Sequence, residues 1–342
     1  MEHFAPHHNA NFEGWYSKFD LASGAHIALI ICSVPKAQSR PHMVSFTYYP
    51  PSGQPIFQRE HFIPNIERRT TNTATQAFEL VIPTIGHMRA AANGTTSYAL
   101  SAPDKSWSLA AQTESQTAWS PTKSTPEGWI IHLPLPLHWH VHSLCSPCTL
   151  TLSIPTALPP DNYTTRATIH QEKNWATSFP DAHMWLQAWD ADSHRGICLA
   201  GGKILHNTAY MLGYRSQSLN LDFTPPFSVS YLNLLSPFLR TQLDWPNRTF
   251  SLDVSRYWHK LRLRAHAPKS HGWFGLASPF PDGHRANYCS ESFCATIEVE
   301  VFERGGWWPW SGWRRIRRER FEGASLEFAG EYYPERGQGK EE

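Results

Sequence analysis

Apolar and polar side chains alternate one for one along much of this chain. The pattern is clearest at TLTLSI (Thr149 to Ile154), SLNLDF (Ser218 to Phe223), SLDV (Ser251 to Val254), KLRLRAH (Lys260 to His266) and TIEVEVF (Thr296 to Phe302). Successive side chains of a strand point to opposite faces, so each run predicts a strand with one face in a core and the other outside. Turn-forming clusters such as YYPPSGQP and the stretch from Ser278 to Arg285 separate the runs, and 27 prolines would interrupt most helices. Only SYLNLLSPFLRTQL, Ser230 to Leu243, has a spacing that could carry a short helix or two. The predicted class is all-β, closed into antiparallel barrels or sandwiches that protect strand edges.

A length of 342 residues suits two such domains. The turn-rich PTALPPDNYTT, Pro155 to Thr165, is the natural seam, giving an N-terminal β domain over 1–160 and a C-terminal one over 161–342.

Charge narrows the partners. Thirty Lys and Arg against 29 Asp and Glu leave a net charge of +1, with no overall field toward nucleic acid or an acidic polymer. No apolar run approaches the ~20 residues of a membrane span, and MEHFAPHHNANFEG has neither the basic nor the apolar region of a signal peptide. We therefore expect a cytoplasmic monomer that binds an apolar small molecule. The sequons at Asn93, Asn162 and Asn247 then read as chance matches in loops. Six cysteines are too few for a disulfide scaffold, and CSPC, Cys145 to Cys148, with no second CxxC to answer it, reads as a turn containing a proline.

Three constellations carry candidate chemistry. In LHWHVH, a strand would point His138, His140 and His142 the same way, a spacing able to hold zinc with an open position. A polar strand face is the alternative. No nearby carboxylate is marked to orient the imidazoles, so we expect no metal. In EKNW a strand separates Glu172 and Asn174 on one face from Lys173 and Trp175 on the other. A carboxyl in an aromatic cavity can be held protonated and act as a general acid; alternatively Lys173 pairs with Glu172 or another carboxylate and keeps it ionised. In FEGWYSKF, Glu13 lies beside Trp15 and Tyr16. Aromatic faces stabilise a positive centre without supplying a base, which suits carbocation chemistry, though they can equally serve as core packing.

FEGWYSKF, PLPLHWHVH, EKNWATSFPDAHMWLQ, YCSESFCATIEVEVFER and SLEFAGEYY resemble, in that order, segments of the tocopherol cyclase-like proteins, with more distant similarity to lipocalin-like carotenoid hydratases and fungal Diels–Alderases. The resemblance spans nearly the whole chain and is most specific in the EKNW run. It implies two lipocalin-like β domains and a cofactor-independent cyclase, in which an acid protonates a prenyl double bond and a phenol oxygen captures the cation. The matching positions imply Glu172 as proton donor, Asn174 as hydrogen-bond donor to the substrate oxygen and Glu13 as a reserve acid. They also imply a substrate-binding set of Trp15, Tyr16, His138, Trp139, Lys173, Trp175, Phe179, Trp185 and Gln187. On this expectation Glu172 and Asn174 face the pocket, while Lys173 and Trp175 anchor the strand from behind. A pericyclase that shapes a polyene by confinement, or a carrier that only binds an apolar ligand, would use the same kind of pocket.

One segment fits none of this. From Gly305 to Ala324 the chain reads GGWWPWSGWRRIRRERFEGA, expected as a long loop whose Trp307, Trp308, Trp310 and Trp313 precede Arg314 and Arg315 in a basic cluster. Indoles beside arginines suit peripheral contact with an anionic membrane; packing of the loop at a barrel mouth is the alternative.

Overall fold

The computed structural model describes residues 3–51, 54–135, 137–158, 163–177, 179–204, 207–231, 236–306 and 311–336. Among them the regular structure is antiparallel β apart from one 3-10 turn, Gly128–His132. No helix among the described residues is long and apolar enough to cross a membrane.

The first sheet contains β1 (Phe12–Leu21), β2 (His26–Ser33), β3 (His42–Tyr49), β4 (Phe57–Ile63), β5 (Glu67–Asn72), β6 (Ala77–Ile82), β7 (Gly86–Ala90), β8 (Thr96–Ser101), β9 (Ser108–Thr113), β10 (Leu137–Ser153) and β11 (Tyr163–Ala176). Their spatial order is β4-β3-β2-β1-β11-β10-β9-β8-β7-β6-β5, two meanders joined by β11. The strand carrying EKNW is therefore central, paired on both edges.

The second sheet contains β12 (Ala182–Asp190), β13 (Arg195–Ile204), β14 (Asn207–Arg215), β15 (Asn220–Phe223), β16 (Val229–Ser230), β17 (Leu239–Asp244), β18 (Thr249–Arg256), β19 (His259–His266), β20 (Trp273–Phe280), β21 (Gly283–Arg304) and β22 (Trp313–Gly330). Its main path is β15-β14-β13-β12-β22-β21-β19-β18-β17.

The alternating runs form strands with one face in a core. Leu150, Leu152 and Ile154 enter the first apolar cluster, and Leu252, Val254, Leu261, Leu263, Ile297, Val299 and Val301 the second. Contacts divide the chain into one unit of 1–179 plus 279–285, and another of 180–278 plus 286–342. The Pro155 to Thr165 stretch, in which 159–162 lie outside the described residues, joins β10 to β11 inside the first sheet. The chain passes from one unit to the other at Phe179 and Pro180.

Three local expectations are corrected. Within Ser230 to Leu243, where 232–235 lie outside the described residues, Leu239–Asp244 is a strand paired with β18. Pro237 has no amide proton to continue a helix, and the ladder with β18 satisfies the backbone instead. CSPC is no turn: it lies within β10, just past a register shift between Ser143 and Ser146, where the ladder tolerates Pro147. The Trp-Arg segment is a loop only in part, because from Trp313 onward it forms β22 against β21. Glutamates on β21 select that register through Arg320–Glu298 at 2.8 Å, Arg315–Glu300 at 2.5 Å and Arg314–Glu303 at 3.2 Å. The basic cluster is thus substantially neutralised within the sheet. Residues 307–310, which include Trp307, Trp308 and Trp310, lie outside the described residues.

Candidate functional site

Register across β1, β11 and β10 sorts the candidate residues into rows. On the interior face of the first unit, Trp15, Lys173 and His140 form one row, and Glu13, Trp175 and His138 the next. On the opposite face, Tyr16, Glu172 and Val141 form one row, and Gly14, Asn174 and Trp139 the other. The alternation expected for EKNW is present in the ladder, with Glu172 and Asn174 on one face and Lys173 and Trp175 on the other.

The interior rows carry a closed ionic group. Lys173 is completely buried, and its ammonium lies 2.8 Å from the Glu13 carboxylate, 2.8 Å from His7 Nδ1 and against the Ala5 carbonyl. Those are all three donors of an ammonium. The Trp15 ring, 4.5 Å away, and the Trp175 ring, 5.6 Å away, supply cation–π contacts. Burial lowers the Lys173 pKa to about 8, against the opposing pull of Glu13. Burial would push Glu13 up, but Lys173, the His7 amide and Arg68 together hold it below the usual carboxylate range. Lys173 therefore pairs with Glu13 and not with Glu172. An ionised carboxylate held by two cations is a poor proton donor, so the geometry does not support Glu13 as a reserve acid.

The N-terminal segment completes this group. Phe4 is fully buried, accepts the Trp15 indole N–H through its carbonyl at 2.9 Å, and stacks on His142 with 4.0 Å between centroids. His7 stacks on Trp175 at 4.0 Å. Burial, then the charge of Lys173, drives the His7 imidazole down to about 3, so it remains neutral and accepts from Lys173.

The three-histidine face does not converge on a point. His138 stacks on Trp175 and pairs through Nδ1 with Glu127 at 2.8 Å, while His142 Nε2 donates to the Gly94 carbonyl at 2.8 Å. Since that carbonyl can only accept, His142 Nδ1 is an acceptor, met by the Gln116 amide at 3.2 Å. Two of the three rings are thus committed to protein partners.

The opposite face carries a different pair. Glu172, 2% exposed, accepts the Trp139 indole N–H and lies 3.2 Å from His170 Nε2, while His170 Nδ1 lies 3.2 Å from the Leu144 carbonyl. The carbonyl requires the proton on Nδ1. A single proton between His170 Nε2 and the Glu172 carboxyl makes this contact a hydrogen bond, with either group able to serve as its donor. A buried carboxyl and imidazole with one mobile proton form an acid–base couple.

In the second unit, Trp185 and Gln187 lie on the β12 face opposite Met184, Leu186 and Ala188, which enter the core. Trp185 sits across from Glu327, which in turn sits across from Glu291. His183 pairs with Glu327 at 3.3 Å. Phe179 packs on Phe12 at 5.9 Å in the first unit, away from the ionic group.

Sequence reasoning passed over His7, Arg68, Glu127, His170 and the Glu291/Glu327 pair. His170 sits two residues from Glu172 and hence on its strand face, so period-2 logic alone would have found it. Glu291 and Glu327 occur within segments that carry the family resemblance. Nothing local marks Arg68 or Glu127, whose roles come from distant strands.

No family model matches this chain, and no curated protein matches it at a significant level. Solved structures do. CghA in complex with Sch210972 superposes with a TM-score of 0.58 at 10% identity, over 93% of this chain and 88% of that one. The chain has a lipocalin-like two-domain β fold. Kievitone hydratase from Nectria haematococca matches with a TM-score of 0.57 at 6% identity, over 97% of this chain and 92% of its own. An AttH-type protein from Nitrosomonas europaea matches with a TM-score of 0.54 at 10% identity, over 96% and 95%. At such identities the likeness is one of fold.

Proposed function

We propose that this chain is a cofactor-independent enzyme of natural-product chemistry, a tocopherol cyclase-like cyclase that starts ring closure of a prenylated phenol by protonating an alkene. The observation that carries the proposal is the 3.2 Å contact between the Glu172 carboxyl and His170 Nε2 on a buried strand face. Addition to an unactivated alkene needs a proton delivered where water is scarce. With the Glu172 carboxyl as donor, its proton passes to one alkene carbon, the cation forms at the other, and the internal phenol oxygen attacks it. The phenolic proton then returns to the couple through His170 or the Glu172 carboxylate, and the cycle balances.

The other residues of this face have supporting parts. The Trp139 indole N–H stabilises the carboxylate left after transfer. Tyr16, in the row of Glu172, offers an aromatic face to the cation, and Asn174, one row on, offers an amide to the phenol oxygen. Lys173, Trp15, Trp175 and His138 hold the strand from its other side. Likeness to a protein named as a hydratase supports this reading: hydration and cyclisation share the protonation of an alkene and differ in whether water or an internal oxygen captures the cation.

A pericyclase is the second reading, supported by the sequence resemblance to fungal Diels–Alderases. It would need confinement and hydrogen bonds but no titrating acid. A panel of geranyl- and farnesyl-substituted phenols, assayed with wild-type protein and Glu172→Gln, separates the two. Proton initiation requires Glu172→Gln to lose roughly 10²–10⁴-fold in turnover with the fold retained. Full activity of the variant, or a rate on a linear polyene that is flat with pH, would replace the cyclase by the pericyclase.

A further inference from the structure

A separate cavity of about 390 Å³ opens in the first unit between β10 and the 116–124 loop, lined by His3, Gln116, Trp119, Lys123, His140 and His142 among others. Its volume falls within the usual range for small-ligand sites. His140 and His142 reach it from the interior face of β10, opposite the face that carries Glu172. It is thus a different site from the acid–base couple.

His140 makes this cavity chemically specific. It is 5% exposed, yet Nδ1 has no hydrogen-bond partner among the described residues. A buried polar atom left unpaired is destabilising, so a native site that keeps one has a use for it. Burial first, then the neighbouring His142, His3 and Lys173, hold the imidazole well below its ordinary pKa. The ring is therefore neutral, with one donor and one acceptor nitrogen. Its neighbour His142 is already committed to Gly94 and Gln116, which leaves His140 as the imidazole available to a ligand.

A neutral imidazole discriminates among ligands. A carboxylate or phosphate brings only acceptors and would prefer an imidazolium. A phenolic hydroxyl is a weakly acidic donor, well matched to the imidazole lone pair, and can accept in turn. The opposite wall suits the rest of such a molecule: the Trp119 indole for its ring, and the hydroxyls of Ser120, Thr122 and Ser124 for further oxygens.

We propose that this cavity is a second small-molecule site, selective for phenols, in which His140 hydrogen-bonds the hydroxyl. The proposal does not depend on the role of Glu172. It is a binding claim and stands or falls without turnover.

The test uses the full chain with ¹⁵N-labelled histidine, titrated with phenol and with toluene, which has the same shape but no hydroxyl. Phenol should move the His140 ring-nitrogen resonances while leaving those of His138 unchanged. It should bind at least about tenfold more tightly than toluene, the worth of one hydrogen bond. His140→Leu should remove that preference while toluene binding persists. Equal binding of the two probes, no shift at His140 under saturating phenol, or an unchanged preference in His140→Leu would overturn the proposal. Should His140→Leu fail to fold, the wild-type titration decides alone.

Discussion

Lys173 and Glu13 meet inside the first unit with 2.8 Å between Nζ and Oε2, and neither side chain is more than 1% exposed. The contact ties the central strand β11 to β1, and through Ala5 and His7 it ties the N-terminal segment to both. A buried pair of this kind is worth most as a geometric constraint, because removing one partner strands the other charge.

Either Lys173→Met or Glu13→Gln alone should therefore destabilise the chain by about 3–5 kcal/mol, while the double variant should recover much of the loss. Denaturant unfolding of the four proteins checks this. Additive losses would mean that the two side chains do not act as a pair. A structural role for Glu13 also requires that Glu13→Gln, where folded, keep a far larger share of turnover than Glu172→Gln.

Acid should weaken the first unit early. Burial, reinforced by Arg68 and His284, holds His42 at about 4; burial, against the Gly94 hydrogen bond, holds His142 at about 4; and His7 lies at about 3. These values sit below that of an unfolded histidine, about 6.5, so between them the unfolded chain binds protons that the folded chain refuses. Stability should be level between about pH 6.5 and 7 and decline as pH falls from there toward 4, at most about 1.4 kcal/mol per pH unit for each such ring, while above neutrality Lys173, held at about 8 in the fold, adds a rise with pH. Glu13, held low, contributes stability above the ordinary carboxylate range and loses it only on further acidification. Unfolding free energies measured between pH 4 and 8 test the sign; a curve level down to pH 5 would contradict it.

The Trp139 indole N–H stabilises the Glu172 carboxylate left after proton transfer, so Trp139→Phe should lower turnover by roughly 10-fold with the fold retained. His170→Gln keeps a polar side chain but cannot take up the proton, so it should lower turnover by roughly 10²-fold or more. Unaltered turnover in both variants would separate this pair from the chemistry.

Ion pairing within β21 and β22 leaves less free charge for a lipid surface than the arginine-rich sequence implies. If the segment touches membranes, Trp307, Trp308 and Trp310 are the residues to do it. Replacing those three by Ser leaves β22 intact and should reduce sedimentation with anionic vesicles, with little effect on turnover of a detergent-dispersed substrate. Equal sedimentation would remove the interfacial role.

Alternation alone determined the all-β class and the inward faces of β10, β18, β19 and β21, because a strand has only two faces and a one-residue shift would expose its apolar set. The same rule, applied to four adjacent letters, separates Glu172 and Asn174 from Lys173 and Trp175. What period-2 logic cannot supply is the identity of whatever stands opposite each face. That Lys173 meets Glu13, His7 and Ala5, all near the other end of the first unit's chain, depends on β11 being inserted between β1 and β10. Tertiary pairing likewise made a strand of the arginine-rich segment by setting glutamates of β21 beside it, and directed His138 and His142 to separate partners. Charge and hydrogen bonding act over a few ångströms, so the fate of an ionisable side chain belongs to its neighbours in space, while burial of an apolar one is already written in its spacing along the chain.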